Sequence, residues 1–139
     1  MRTLHIGLRV TDREASLAFY RNLGYEIVGT VAETPIGYLT MLKLPSDEFV
    51  TLELVSAPDS APGLNHLVVA TESLDDTVAR LDVDGIRAED TSPADPASIR
   101  TSRLTDPDGN WIELVEWPAG HPVGMTAADF GSVAENKEN

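Results

Sequence analysis

Two histidines and two glutamates have types and spacings that would hold a metal ion. His5 and His66 open apolar runs, in LHIGLRV and HLVVA, and Glu53 and Glu113 sit in the middle of two others, FVTLELV and NWIELVEW. Glu53 follows His5 by 48 residues, and Glu113 follows His66 by 47. Neutral imidazole nitrogen with hard carboxylate oxygen suits a first-row divalent cation, water completing five or six coordination. The two carboxylate charges match a dication, which removes the cost of burying them unpaired. Singly, a strand histidine reads as an ordinary core or surface residue and a strand glutamate as a solvated one. Four of them at matching positions read as a set of ligands.

The elements that must position these side chains repeat as well. In LHIGLRV, Leu4, Ile6, Leu8 and Val10 fall on one strand face and His5, Gly7 and Arg9 on the other. Val50, Leu52 and Leu54 likewise oppose Thr51, Glu53 and Val55, while Ile112 and Leu114 oppose Trp111, Glu113 and Val115. Asp12 and Ser73, each seven residues after a histidine, are good N-cap types, and Gly24 and Gly85 stand where helices end. The stretches between are amphipathic, with Leu17, Tyr20 and Leu23 (Phe19 at an edge) in one and Leu74, Val78 and Leu81 in the other.

Three further strands follow each helix: YEIVGTV, YLTMLKL and FVTLELV, then GIRAE, IRTSRLT and NWIELVEW. The expected class is α+β. Residues 1–117 form a single domain of two paired βαβββ modules, 3–58 and 63–117, joined by SAPDSAPG. With the helices on the apolar faces, the opposite faces make a curved sheet around a metal-containing cavity. The tail, 118–139, carries prolines, glycines and a polar ENKEN end, and within it MTAADF could dock as a short turn.

Bulk properties narrow the partners. A net charge of −13 without a basic stripe opposes nucleic acid and anionic lipid, and no run is long and apolar enough to span a bilayer. An anionic small substrate would need local cations. The absence of cysteine excludes a thiol nucleophile and sulfur-ligated zinc, and it fits the cytoplasm.

These residues resemble the vicinal oxygen chelate superfamily and, within it, the glyoxalase I (lactoylglutathione lyase) family. The resemblance rests on LHIGLRVTDREASLAFYRNLGYE, VTLELV, GLNHLVVA, VDGI and LTDPDGNWIELVEW. It implies that His5, Glu53, His66 and Glu113 are metal ligands, and that the metal is Ni²⁺ first, with Co²⁺ or Zn²⁺ as alternatives. It implies a homodimer. It also implies a lyase reaction that detoxifies methylglyoxal, the isomerisation of a 2-oxoaldehyde–thiol hemithioacetal to a 2-hydroxyacyl thioester. Glu113 would be the catalytic base, and Glu53 would be able to serve the opposite face of the substrate.

The resemblance also makes Arg9 a contact for a substrate carboxylate, the competing reading being a rim salt bridge. Trp111 would wall the substrate cavity or serve in ordinary packing. Arg100 and Arg103 would supply cationic contacts or face solvent, and His121 reads as incidental. The family's glutathione-binding asparagine has no counterpart after the fourth strand, where Ser56 and Ala57 stand. That departure leaves the thiol open. Rival members are a coenzyme A thioester epimerase and an extradiol dioxygenase, against both of which Glu53 argues, and a metal-free ligand-sequestering resistance protein.

Overall fold

A computed structural model describes residues 1–95 and 97–130. The element order is β1 (Arg2–Val10), α1 (Arg13–Leu23), β2 (Glu26–Val31), β3 (Tyr38–Lys43), β4 (Leu52–Ser56), β5 (Gly63–Ala70), α2 (Leu74–Val83), β6 (Glu89–Asp90), β7 (Arg100–Thr105) and β8 (Trp111–Glu116). A 3₁₀ turn, Ala127–Phe130, ends the described chain. The strands of the first unit pair in the order β2-β3-β4-β1 and those of the second in the order β5-β8-β7-β6, each a mixed sheet that, with its helix, is the expected βαβββ arrangement. The backbone divides into two compact units, His5–Asn65 with the segment from Met125, and Met1–Leu4 with His66–Gly124.

Both helices start where the cap residues predict. The Asp12 carboxylate accepts from the Ala15 amide and the Ser73 hydroxyl oxygen from the Asp76 amide, each satisfying a donor that the helix leaves orphaned. Gly24 closes α1 at φ 124°, a left-handed value that favours glycine. The cap of α2 is Asp84, with Gly85 in the left-handed region beside it at φ 78°.

In the unit containing β1 to β4, one sheet face packs under α1. Val10, Ile27, Leu42, Leu52 and Leu54 form a buried cluster there, joined by Leu8, Leu17, Tyr20 and Tyr25. The other face carries a second cluster of Val28, Leu39, Met41, Val50 and Val55, covered by Met125 and Phe130. So MTAADF does dock, as the 3₁₀ turn; residues 131–139, including ENKEN, lie outside the described residues.

Several expectations need correction. GIRAE is not a strand except at its end: β6 is only Glu89–Asp90, on the sheet edge beside β7, and the Ile86 amide is taken by the Leu81 carbonyl at the end of α2. FVTLELV is shorter as a strand than expected: β4 proper begins at Leu52, Thr51 already bonds Leu42 and Ile6 of the neighbouring strands, and the Val50 amide is taken instead by the Met125 carbonyl. Within the helix-facing sets, Ile6 is 42% exposed and Leu23 63%, so α1 reaches less of the strand face than its periodicity predicts.

Candidate metal centre

All four predicted ligands lie on strands, where period-2 geometry fixes the side each one faces. In the first unit β1 and β4 are parallel, with Gly7 opposite Glu53. Because His5 and Gly7 share a side, His5 and Glu53 point to the same face as diagonal neighbours, and these long side chains close the gap. His5 Nε2 stands 3.7 Å from Glu53 Oε1, with both residues about 5% exposed. Gly7, between them in register, adds no side chain to that face.

The second unit repeats the register. Parallel β5 and β8 set Val68 opposite Glu113, so the acid again sits across from the residue two beyond the histidine. His66 is buried at 5%, and Glu113 is half-buried. The two units thus present their donors by one rule, with one difference: a glycine flanks Glu53 and a buried valine flanks Glu113.

Within the first unit, buried His5 and Glu53 each offer a ligand atom, and these stand close enough to share one ion. Ligands about 2.0–2.2 Å from one ion stand at most roughly 4.4 Å apart. At 3.7 Å apart, the His5 imidazole and the Glu53 carboxylate therefore fit the coordination of one divalent cation. The donor chemistry suits it, since each group binds a cation in a protonation state ordinary near neutral pH.

The remaining candidates fall in different places. Arg9 turns to the linker: its Nε donates to the Ala61 carbonyl at 2.9 Å and its Nη2 to the Leu64 carbonyl at 3.4 Å. These bonds tie down the connection that leads into β5, a role that neither the substrate contact nor the rim salt bridge anticipates. Trp111 and Glu113 share a side of β8, and Arg103, opposite Glu113 in β7, shares it too. The Arg103 guanidinium lies over the Trp111 ring, 4.2 Å from its centroid, while bonding Glu89 at 3.0 Å. Trp111 thus carries a cation on its face, which composition could not reveal.

Arg100 belongs elsewhere. It bonds Asp75 of α2 at 2.8 Å and approaches Glu116 at 3.8 Å. That hydrogen bond, reinforced by the Arg100 charge, lowers the Asp75 carboxyl below its usual range. His121 is more than incidental, for its ring stacks on Trp117 with centroids 4.5 Å apart. The clearest omission from the sequence reading is Phe130, whose packing against the Glu53-bearing face had only the weak apolar content of MTAADF to announce it.

Comparison with known proteins agrees with the fold. Residues 2–114 match the family described as the glyoxalase/bleomycin resistance protein/dioxygenase superfamily. A lactoylglutathione lyase of Salmonella typhimurium is 30% identical over 131 residues, spanning 84% of this chain and 93% of that protein. Among solved structures, methylmalonyl-CoA epimerase from Mycobacterium tuberculosis superposes with a TM-score of 0.67 at 24% identity, covering 85% of this chain and 88% of the other. The Mn(II)-bound glyoxalase from Novosphingobium aromaticivorans gives 0.63 at 23%, covering 88% and 42%. At these identities the two structures speak for the fold alone, whereas the extent of the family match is decisive: the chain belongs to the glyoxalase/bleomycin resistance protein/dioxygenase superfamily.

Proposed function

We infer that the protein is a metal-dependent glyoxalase I-like lyase, which isomerises the hemithioacetal of a 2-oxoaldehyde and a thiol to a 2-hydroxyacyl thioester. The observation that supports it most is the doubly built register, which sets a glutamate opposite the residue two beyond a histidine in both units. The similarity to a lactoylglutathione lyase points the same way. Retention of glutamate at position 53 favours this reading over the epimerase and the dioxygenase.

In this reading His5, Glu53, His66 and Glu113 hold the ion, Ni²⁺ by preference with Co²⁺ or Zn²⁺ able to replace it. When bound, the cation supplies Lewis-acid stabilisation of the negative charge that develops on two adjacent substrate oxygens. Glu113 is the base. Its carboxylate takes the proton from the carbon bearing sulfur and returns it to the neighbouring carbon, while the hydroxyl proton passes to the other oxygen, so the product is an isomer of the substrate. Half-buried Glu113 has room to shift, whereas Glu53, 4% exposed and beside His5, is the more fixed of the two acids and serves the opposite substrate face. The buried imidazoles of His5 and His66 orient the donor set and help to keep water from it.

Trp111 lines the substrate cavity on the Glu113 side, and Arg9 acts on substrate indirectly, through the linker that it ties down. Residues 1–117 act as the single glyoxalase domain, in a cytoplasmic homodimer that detoxifies methylglyoxal. Metal analysis, followed by assay of methylglyoxal with glutathione and other small thiols before and after nickel addition, tests the assignment. The expected result is nickel-stimulated thioester formation with at least one thiol. No turnover with any thiol at full nickel loading would overturn it, and sedimentation of the purified protein as a monomer would remove the dimer.

A further inference from the structure

The strand registers place four residues in one row across the sheet: Gly29 opposite Met41, Met41 opposite Glu53, and Glu53 opposite Gly7. Partners in register point to the same side, so the row lies on the face that carries Glu53. Strands are spaced about 4.8 Å apart, which puts Gly29 roughly 10 Å from the glutamate. A side chain added at Gly29 would fall on Cβ and Cγ of Phe130, so the aromatic ring of the C-terminal turn occupies the space that the glycine leaves. A β-bulge between Ile27 and Gly29 lets Val28 join the same cluster.

The turn is fastened there. The Val50 amide donates to the Met125 carbonyl at 3.0 Å, and the Thr126 amide to the Asp129 carboxylate at 2.8 Å. Met41, 3% exposed, fills the step between Phe130 and Glu53.

The geometry points to Phe130 as a specificity residue: with Met41 it forms an apolar wall on the Glu53 face that limits the size of the aldehyde-derived side chain and favours short aliphatic 2-oxoaldehydes over aromatic ones. This proposal rests on the lyase reading. The aldehyde side chain is assigned to the wall, and the thiol away from it, because Met41, Met125, Phe130, Val28 and Leu39 offer it no polar group or charge, and a small-molecule thiol carries both.

The test compares kcat/KM for phenylglyoxal and for methylglyoxal with one thiol in nickel-loaded wild type, Phe130→Ala and Phe130→Leu. Phe130→Leu keeps an apolar cover should the alanine variant fold poorly. The phenylglyoxal-to-methylglyoxal ratio is expected to rise roughly tenfold or more in Phe130→Ala, with Phe130→Leu between the two, a size of effect usual for opening an apolar pocket. Active variants with an unchanged ratio, whatever their melting temperature, would make Phe130 a purely structural plug and overturn the proposal alone. A wild type inactive with both aldehydes would overturn the lyase reading, and this proposal with it.

Discussion

The two units share a strand register but not a packing scheme. Beneath α1 the sheet carries five buried aliphatic side chains, two of them, Leu42 and Leu54, with no exposure at all. Of the helices' own residues α1 buries none and α2 buries Leu74 and Thr77, yet an open cleft of about 440 Å³ runs beside Leu74, Val78 and Ile86. There the attachments are polar: Thr71 and Thr77 share a hydroxyl hydrogen bond at 2.6 Å, the Leu74 amide donates to Glu116, and Arg100 bonds Asp75. Yet the histidine and the glutamate keep the same relation in both. The lesson is that the hydrogen-bonded strand ladder, not the helix layer, positions the donors, which leaves the helix side free to differ.

The strongest way to break that likeness is to exchange the two acids for their amides. Glu113→Gln is expected to lower kcat by roughly 10²–10⁴, the usual worth of a positioned base, while nickel content measured on the purified variant stays near the wild-type value. Glu53→Gln, altering the carboxylate beside buried His5, should show the greater loss of metal. Equal losses of metal and of rate in both variants would erase the functional division between the acids.

The contrast in packing predicts a contrast in stability. Leu54→Ala should cost about 2–5 kcal/mol in denaturant unfolding, as expected for truncating a leucine with no exposed surface. Val78→Ala, beside the cleft, should cost about 1 kcal/mol, for its side chain is half-buried. Costs of similar size would mean that the cleft side of α2 is packed as tightly as the strand core under α1. A smaller probe is Thr77→Val, which keeps the shape but leaves the Thr71 hydroxyl only its longer bond to the Ser73 carbonyl, at 3.3 Å. About 1 kcal/mol is expected from that loss, read from the same unfolding curves.

What could be read in advance was whatever depends on neighbours in sequence. Asp12 and Ser73 cap because a short acceptor side chain before a helical run has a local amide to bind, and both do so. The shared register of His5 with Glu53 and of His66 with Glu113 was legible because strand alternation assigns faces and the repeat doubles the signal. Other features depend on remote partners. Leu23 follows the helical period yet is 63% exposed, since periodicity names a face without saying how far the opposing layer extends. Arg9 finds the linker carbonyls, and Phe130 finds the space over Gly29, through contacts that no local pattern encodes. GIRAE failed as a strand for another reason: its Ile86 amide closes the end of α2 on the Leu81 carbonyl, and at the sheet edge only Glu89 and Asp90 pair.

The smallest effect concerns a carboxylate on the β1–β4 side. Asp47 accepts from the Thr51 hydroxyl at 2.7 Å and from the Leu44 amide at 3.0 Å, bracing the turn between β3 and β4. The Thr51 hydrogen bond, then that of Leu44, holds its carboxyl below the usual aspartate range despite some opposing desolvation. A depressed folded pKa contributes stability above the unfolded value, near about 3.9, and that contribution disappears as pH falls through the folded one. Thr51→Val should therefore move the Asp47 carboxyl resonance in an NMR titration upward toward the ordinary value. The variant should also show a weaker dependence of unfolding free energy on pH below about 4. An unmoved titration would assign the bracing to the Leu44 amide alone and leave the two turns, LPSDE and DPDGN, alike in being held by an aspartate on backbone amides, as Asp106 is on Asp108 and Asn110.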